Sequence, residues 1–419
     1  MDKKLTFISR SDIRGGAAIV TYRLVEALRV AGVDARMLVC EKMSDSDFVQ
    51  VCASAWRIKY SFFKERLKVF FNNGFNRSNL FKVDPACEGL PLWNHPWVRN
   101  ADAVFLGWVN QGMLSLHGLH KIAGLGKPVI WIMHDMWNMT GICHHAGACD
   151  GFHDKCGCCP LLGEGSKQND MSRKTWESKK LLYEDRKIRF IAVSSWLAQK
   201  AAESSLLCDM DVKVIPNPFN IGGDSDMNER LGKRTGKVRI IFGAARLDDP
   251  IKGLPVLKEA LDVIGSSYPE IASDLELVTF GSVREVGSLN AFTIPHRHLG
   301  VIKGADEIKK AYESCDIVVS TSDYETLPGT LVEGQAYGCI PVAVHHGGQG
   351  DIIDHQKTGW LASWSDSPSV RAANVADGIV WAYRNCGNID LLKAMRMSVE
   401  KKFSAPEVAR KVLEFAFEK

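Results

Sequence analysis

Apolar positions along this chain follow two alternating rhythms. Residues 5–8 form a short strand-like run, and a polar loop ending at Gly16 follows it. Residues 17–31 then repeat at helical spacing through Ile19, Leu24, Ala27 and Leu28, with Gly32 as a stop. Residues 35–40 return to a strand-like run. This strand–helix–strand opening predicts a parallel sheet. Further strands are expected at 103–106, 129–133 and 190–193. Two prolines close that series at 216–218, and a Gly-rich charged stretch at 221–237 reads as a linker. A second series begins with a strand at 238–245, a helix at 254–264, a strand at 275–280 and a helix at 308–314. Strands at 316–320 and 341–344 follow, and residues 406–417 recur at helical spacing through Val408, Val412 and Phe415. The fold class is therefore α/β, in two domains, which 419 residues allow.

The segment between the last two of those strands carries the densest chemistry. Glu325 lies in the loop after residues 316–320, and Glu333 lies on a helix starting near Gly329. In open α/β sheets such loops bind ligands, and the first helical N–H groups favour an anion. The loop after residues 238–245 holds Arg246 and, just before a helix, Lys252-Gly253. A guanidinium and an ammonium there suit one diphosphate, although two solvated surface charges would read the same way alone. Gly15-Gly16 sits where backbone can approach a ligand closely, and is otherwise a plain tight turn. His134, followed by Asp135, ends an apolar strand at the sheet's carboxyl edge; a lone histidine there is commonly a satisfied structural residue.

Together these residues resemble the signature of retaining nucleotide-sugar glycosyltransferases of family 4. That resemblance implies the GT-B architecture, two Rossmann-like domains facing across a cleft. The implied division is 1–215 for the acceptor, 216–403 for the nucleotide sugar, and a helix at 404–419 crossing back to the first domain. By the same resemblance Arg246 and Lys252 bind phosphate, Glu325 the donor-sugar hydroxyls and Glu333 the ribose. Backbone around Thr326, Leu327 and Pro328 lies near sugar and phosphate, Gly15 and Gly16 face the diphosphate, and His134 stands near the donor sugar. Asp135 orients His134 or contacts acceptor. The chain departs from the family's common Glu-Gly-Phe-Gly form by reading Glu325-Thr-Leu-Pro328. The implied donor is a UDP- or GDP-sugar, and no metal is required for catalysis. A GT-B epimerase and a non-catalytic sugar-nucleotide-binding assembly partner are the alternatives.

Twelve cysteines include a cluster in which Cys143, Cys149, Cys156 and Cys159 supply four soft ligands. A structural zinc, two disulfides and free thiols are the competing readings. A similar Cys-rich insert after a His-Asp-x-Trp stretch marks a subgroup of O-antigen, colanic acid and exopolysaccharide transferases. It implies a glycan acceptor on a lipid carrier. Residues 56–71 form a basic amphipathic helix with Trp56, Tyr60, Phe63, Leu67 and Phe70 at helical spacing. It suits either a membrane surface or a helix packed on the core. The net charge of +3 gives no ground for a nucleic-acid partner. The start shows no signal-peptide pattern and no apolar run reaches membrane-spanning length, so the expected setting is cytoplasmic, peripheral at the inner face of the membrane. Asp45/Asp47 and Asp224/Asp226 lie in Ser-containing loops with no preceding buried strand and read as solvated turns.

Overall fold

The computed structural model describes residues 3–77, 79–221, 236–290 and 292–418. Most of the expected linker, and the Asp224/Asp226 pair, fall outside these residues. The chain divides into two compact units, Met1–Pro218 with Ala405–Lys419, and Phe219–Ser404.

In unit 1 the strands are β1 (Lys4–Ser11), β2 (Asp34–Glu41), β3 (Val49–Val51), β4 (Ala103–Leu106), β5 (Val129–Met133), β6 (Ile188–Ala192) and β7 (Val212–Val214). They form one sheet in the order β3-β2-β1-β4-β5-β6-β7, and every pairing is parallel. All residues of β4 and β5 are buried. That is why they read as continuous apolar runs rather than alternating ones: a parallel sheet is covered on both faces. Phe7 of β1 and Phe105 of β4 stack with ring centroids 4.5 Å apart. Each such buried ring contributes about 1.5–3 kcal/mol of burial free energy. Helix α1 (Gly16–Val30) follows β1, and α2 (Ala55–Asn72) follows β3.

Unit 2 contains β8 (Val238–Arg246), β9 (Leu275–Ser282), β10 (His296–His298), β11 (Ile317–Ser320), β12 (Ile340–His345) and β13 (Trp360–Ser363). Their order is β10-β9-β8-β11-β12-β13, again wholly parallel. Helices α3 (Leu254–Ser267), α4 (Gly329–Ala336), α5 (Pro368–Asn385) and α6 (Ile389–Phe403) surround this sheet. The last helix, α7 (Ala405–Phe417), packs on α1 and so belongs to unit 1.

Each sheet reverses its winding once, between β1 and β4 and between β8 and β11. At such a switch point the loops diverge on opposite faces and leave a crevice at the strands' carboxyl ends. Each unit has a recess at that place.

Candidate active site

In unit 2 the loop after β8 turns back through a short turn at Pro250–Lys252, capped by Asp249, whose Oδ1 accepts from Ile251 N at 3.3 Å. Gly253 then takes a left-handed conformation, φ 68°, at the N-cap of α3. A Cβ there would lie 2.1 Å from the Thr321 carbonyl oxygen, so only glycine lets this loop reach the end of β11. Thr321 Oγ1 locks the approach, donating to the carbonyls of Lys252 (3.0 Å) and Gly253 (2.9 Å).

The result is a fixed Lys252 whose Nζ stands 2.5 Å from Glu325 Oε1. Ser322 Oγ donates to the same oxygen at 3.0 Å. The Glu325 backbone is pinned from the other side. Its carbonyl accepts from Gly348 N at 2.9 Å, and a Cβ on Gly347 would sit 2.1 Å from that carbonyl oxygen. Around the pair is a cavity of about 140 Å³, lined by Gly243–Ala245, Lys252, Ser320, Ser322, Glu325 and Pro328–Thr330. Helix α4 begins at this lining with no side-chain cap, so its first N–H groups suit an anion.

Arg246 is placed differently. Its Nη2 meets Asp249 Oδ2 at 2.8 Å and its Nε lies 3.5 Å from Asp248 Oδ1, and it is not among the cavity's lining residues. Asp248 is itself held by Arg284 N and Glu285 N, at 2.8 and 2.9 Å, and these amides keep its carboxyl below the usual range. Glu333 lies one turn along α4, half-buried and off the cavity. Thr326 is half-buried, Leu327 is buried, and Pro328 lines the cavity.

In unit 1 a recess of about 650 Å³ opens at the ends of β1, β4 and β5. Gly15, Gly16, His134 and Asp135 all line it, beside Ser9, Arg10, Ser11, Arg14, Trp108 and His145. His134 Nε2 lies 3.4 Å from Thr21 Oγ1. Burial pushes its pKa down to about 4, so the ring is neutral near pH 7. Asp135 is tied to residues beyond His134. Its Oδ2 meets His144 Nδ1 at 2.8 Å and Trp108 Nε1 at 3.1 Å, and its Oδ1 accepts from Trp137 N at 2.8 Å. Burial works to raise its pKa, but His144 and the Trp137 amide outweigh this and hold it at about 2.

Beneath the recess lies an acid pair that the sequence reading passed over. Asp84 Oδ2 accepts from Arg66 Nη2 and from Gln111 N, both at 2.7 Å. Burial, and then the Asp84 charge, push the Glu65 carboxyl up to about 10, so Glu65 keeps its proton. Asp84 is held below the usual carboxylate range: burial opposes this, and Glu65 and Arg66 outweigh it. Gln111 has φ 57°, and its carbonyl accepts from Arg10 Nη1 at 3.0 Å. The pair therefore braces a wall of the recess. The signal was present: Glu65 falls on the same helical face as Ile58 and Val69, opposite the aromatic stripe.

Cys143, Cys149, Cys156 and Cys159 line one small cavity of about 20 Å³, and Gly141 N donates to Cys156 Sγ at 3.1 Å. All twelve cysteines are free thiols, which sets the disulfide reading aside. Among the described residues no three His, Cys, Asp or Glu side chains stand together as metal ligands.

The segment from β8 through most of α5 carries the Lys252–Glu325 pair. Residues 238–381 match the family of glycosyl transferases group 1. Within that segment lie Arg246, Lys252, Glu325 and Glu333. A glycogen synthase of Mesorhizobium japonicum is 30% identical to this chain over 173 residues, 38% of this chain and 32% of that protein. A phosphatidyl-myo-inositol mannosyltransferase of Mycobacterium tuberculosis is 27% identical over 178 residues, 42% and 46% of the two chains. The chain thus spans less than half the length of these curated relatives. Over its whole length it resembles HepE of Anabaena, solved with UDP and glucose, with a TM-score of 0.60, 15% identity and full coverage of both chains. At that identity the likeness shows the fold: two parallel-sheet α/β units of the GT-B type.

Proposed function

We propose that this chain transfers a hexose-type sugar from a nucleoside diphosphate sugar to a hydroxyl of a glycan acceptor carried on lipid, with retention at the anomeric carbon, in the assembly of a bacterial surface polysaccharide. The observation that carries the donor half is the Lys252–Glu325 pair. It sits on the cavity at the switch point of the unit that matches the group 1 family. That HepE binds UDP and glucose favours a UDP-sugar.

The geometry performs the step through charge and position. Departure of the nucleoside diphosphate leaves negative charge on its outer phosphate. Lys252 and the N-terminal amides of α4 meet that charge, and Arg246, at the end of β8, is the second cation of this reading. Stabilisation of developing charge by groups already in place is the dominant catalytic term. The reading calls on no divalent cation, because lysine, guanidinium and amides balance the diphosphate. Glu325, its backbone fixed, accepts from donor-sugar hydroxyls and orients the anomeric carbon. A neutral His134 exchanges hydrogen bonds with hydroxyls and does not compete for the phosphate. The acceptor oxygen attacks the face the diphosphate leaves, and the departing phosphate oxygen takes its proton.

Titration of the purified chain with UDP, GDP and ADP, without added metal, tests this. One nucleotide should bind, and Arg246→Ala should weaken it. A folded chain that binds none of the three overturns the donor assignment.

A further inference from the structure

The helix at residues 56–71 has two opposed faces. Ile58, Ser61, Glu65, Arg66 and Val69 face inward. Trp56, Tyr60, Phe63, Leu67 and Phe71 face out, with exposures of 67%, 60%, 65%, 38% and 57%. At 3.6 residues per turn those five positions fall within roughly 80° of arc, a single stripe. The half-buried Phe70 is not part of it. The aromatic spacing read from the sequence is therefore a solvent-facing stripe and not a packing face.

Phe75 and Phe81 extend the stripe. Phe75 meets Phe71 edge-on at 5.6 Å, and Phe81 stacks near Phe62 at 6.4 Å. Among the described residues, every exposed Trp, Tyr or Phe lies between Trp56 and Phe81. The same stretch, to Lys82, holds seven basic residues and a single acid, Glu65. Glu65 is fully buried, and Arg57, Lys59, Lys64, Lys68, Arg77 and Lys82 are exposed. Glu88, itself mostly buried, pairs with Lys64 and Lys68 at 3.1 and 2.6 Å, leaving Arg57 and Lys59 at the opposite end of the stripe. A whole chain of net charge +3 thus concentrates a larger positive charge around the only exposed aromatic cluster among the described residues. Exposed apolar clusters mark interaction sites. Rings flanked by cations match the boundary between headgroups and acyl chains of an anionic bilayer.

We propose that this face of α2, with Phe75 and Phe81, docks the chain on an anionic lipid surface. The inference deepens the function proposed above by naming the surface on which its acceptor is met, and it rests on that reading for its purpose. Phe62 of the same helix lines the unit 1 recess, with the Arg10 guanidinium 5.3 Å from its ring centre. A docked α2 would hold that recess at the level of lipid headgroups, where a lipid-borne acceptor carries its sugar.

Flotation with vesicles of phosphatidylcholine alone, and of phosphatidylcholine mixed equally with phosphatidylglycerol, tests it. The wild-type chain should float with the anionic vesicles, less so at high salt. Arg57→Glu with Lys59→Glu should weaken binding by at least about tenfold, since each cation near such a surface is worth about fivefold. Phe63→Glu with Phe71→Glu should weaken it comparably at an unchanged thermal midpoint, because both rings are exposed. A wild-type chain that ignores anionic vesicles overturns the proposal, as does a phenylalanine pair variant that floats like wild type. A wild-type dimer that this variant dissociates also overturns it, by showing that a second copy covers the face. Vesicle binding without nucleotide binding would sink the donor reading alone. Nucleotide binding without vesicle binding would sink the lipid surface alone.

Discussion

Both sheets open at the same topological position, and the two openings hold different chemistry. The unit 2 cavity is small, about 140 Å³, and an ammonium and a carboxylate already touch within it. The unit 1 recess is several times larger, about 650 Å³, and mixes two arginines, two carboxylates, two histidines and the rings of Phe62 and Trp108. In unit 2, glycines at 253 and 347 bring backbone within a carbon's reach and fix the charged pair. In unit 1, buried acids hold the wall, and the Arg14–Glu41 pair on the lining, 2.7 Å apart, is exposed to solvent. The contrast fits a site for one chemically constant ligand, a diphosphate, in unit 2 and a site for a ligand defined by shape in unit 1.

Three substitutions press on this contrast. The largest effect is expected from Lys252→Ala. It removes the cation proposed above to meet the leaving group and leaves Glu325 with only Ser322 on that oxygen. Transition-state stabilisation should fall by about 2–4 kcal/mol, read as kcat/KM for the donor. An unchanged kcat/KM would deny the unit 2 cavity its role. Next is Asp135→Asn, which breaks the contact to His144 and weakens those to Trp108 and Trp137. Unfolding in urea should show a loss of about 1–3 kcal/mol, with nucleotide affinity unchanged. A loss of nucleotide affinity would mean that the two sites are not chemically separate.

The smallest effect, and the most selective, is Glu65→Gln. Glu65 binds its proton up to about pH 10 when folded, against an ordinary value of 4.5 when unfolded. Between those values the folded state holds more protons, so this group's contribution is complete below about pH 4.5 and is lost as pH rises toward 10. The amide has no proton to lose. The variant should therefore gain on wild type as pH is raised from 7 to 10, measured as thermal midpoints. Parallel curves for the two proteins would show that Glu65 is ionised in the folded state.

The central strands were legible because a parallel sheet writes itself as unbroken apolar runs: 103–106 and 129–133 coincide with β4 and β5. The edge strands β3, β7 and β10 have three residues each, too few for a period to show. Lys252 and Glu325 were readable because each follows directly on a strand end. Their contact was not readable, since it depends on Gly253 passing against Thr321, sixty-eight residues away. Asp135 looked like a partner for its neighbour His134; its bond to His144 was not readable, because the intervening loop has to turn back to make it. The stripe on α2 was visible as a stripe; its direction was set by Glu65, Arg66 and Asp84, an inward polar cluster that hydrophobicity alone does not reveal.

The return of α7 to unit 1 bears on the order in which this protein is made. The chain leaves unit 1 at Pro218 and re-enters it at Ala405. Where it enters and leaves unit 2, Phe219 N donates to the Phe403 carbonyl at 2.8 Å. Val408, Val412 and Phe415 are buried, and the Arg189 guanidinium lies 3.8 Å from the Phe415 ring centre. Every residue of unit 2 must leave the ribosome before those side chains exist. At about 5–20 residues per second, the first unit waits roughly ten to forty seconds with an apolar face of α1 uncovered. A message cut short after residue 404 would thus yield a complete second unit and a first one with that face of α1 uncovered.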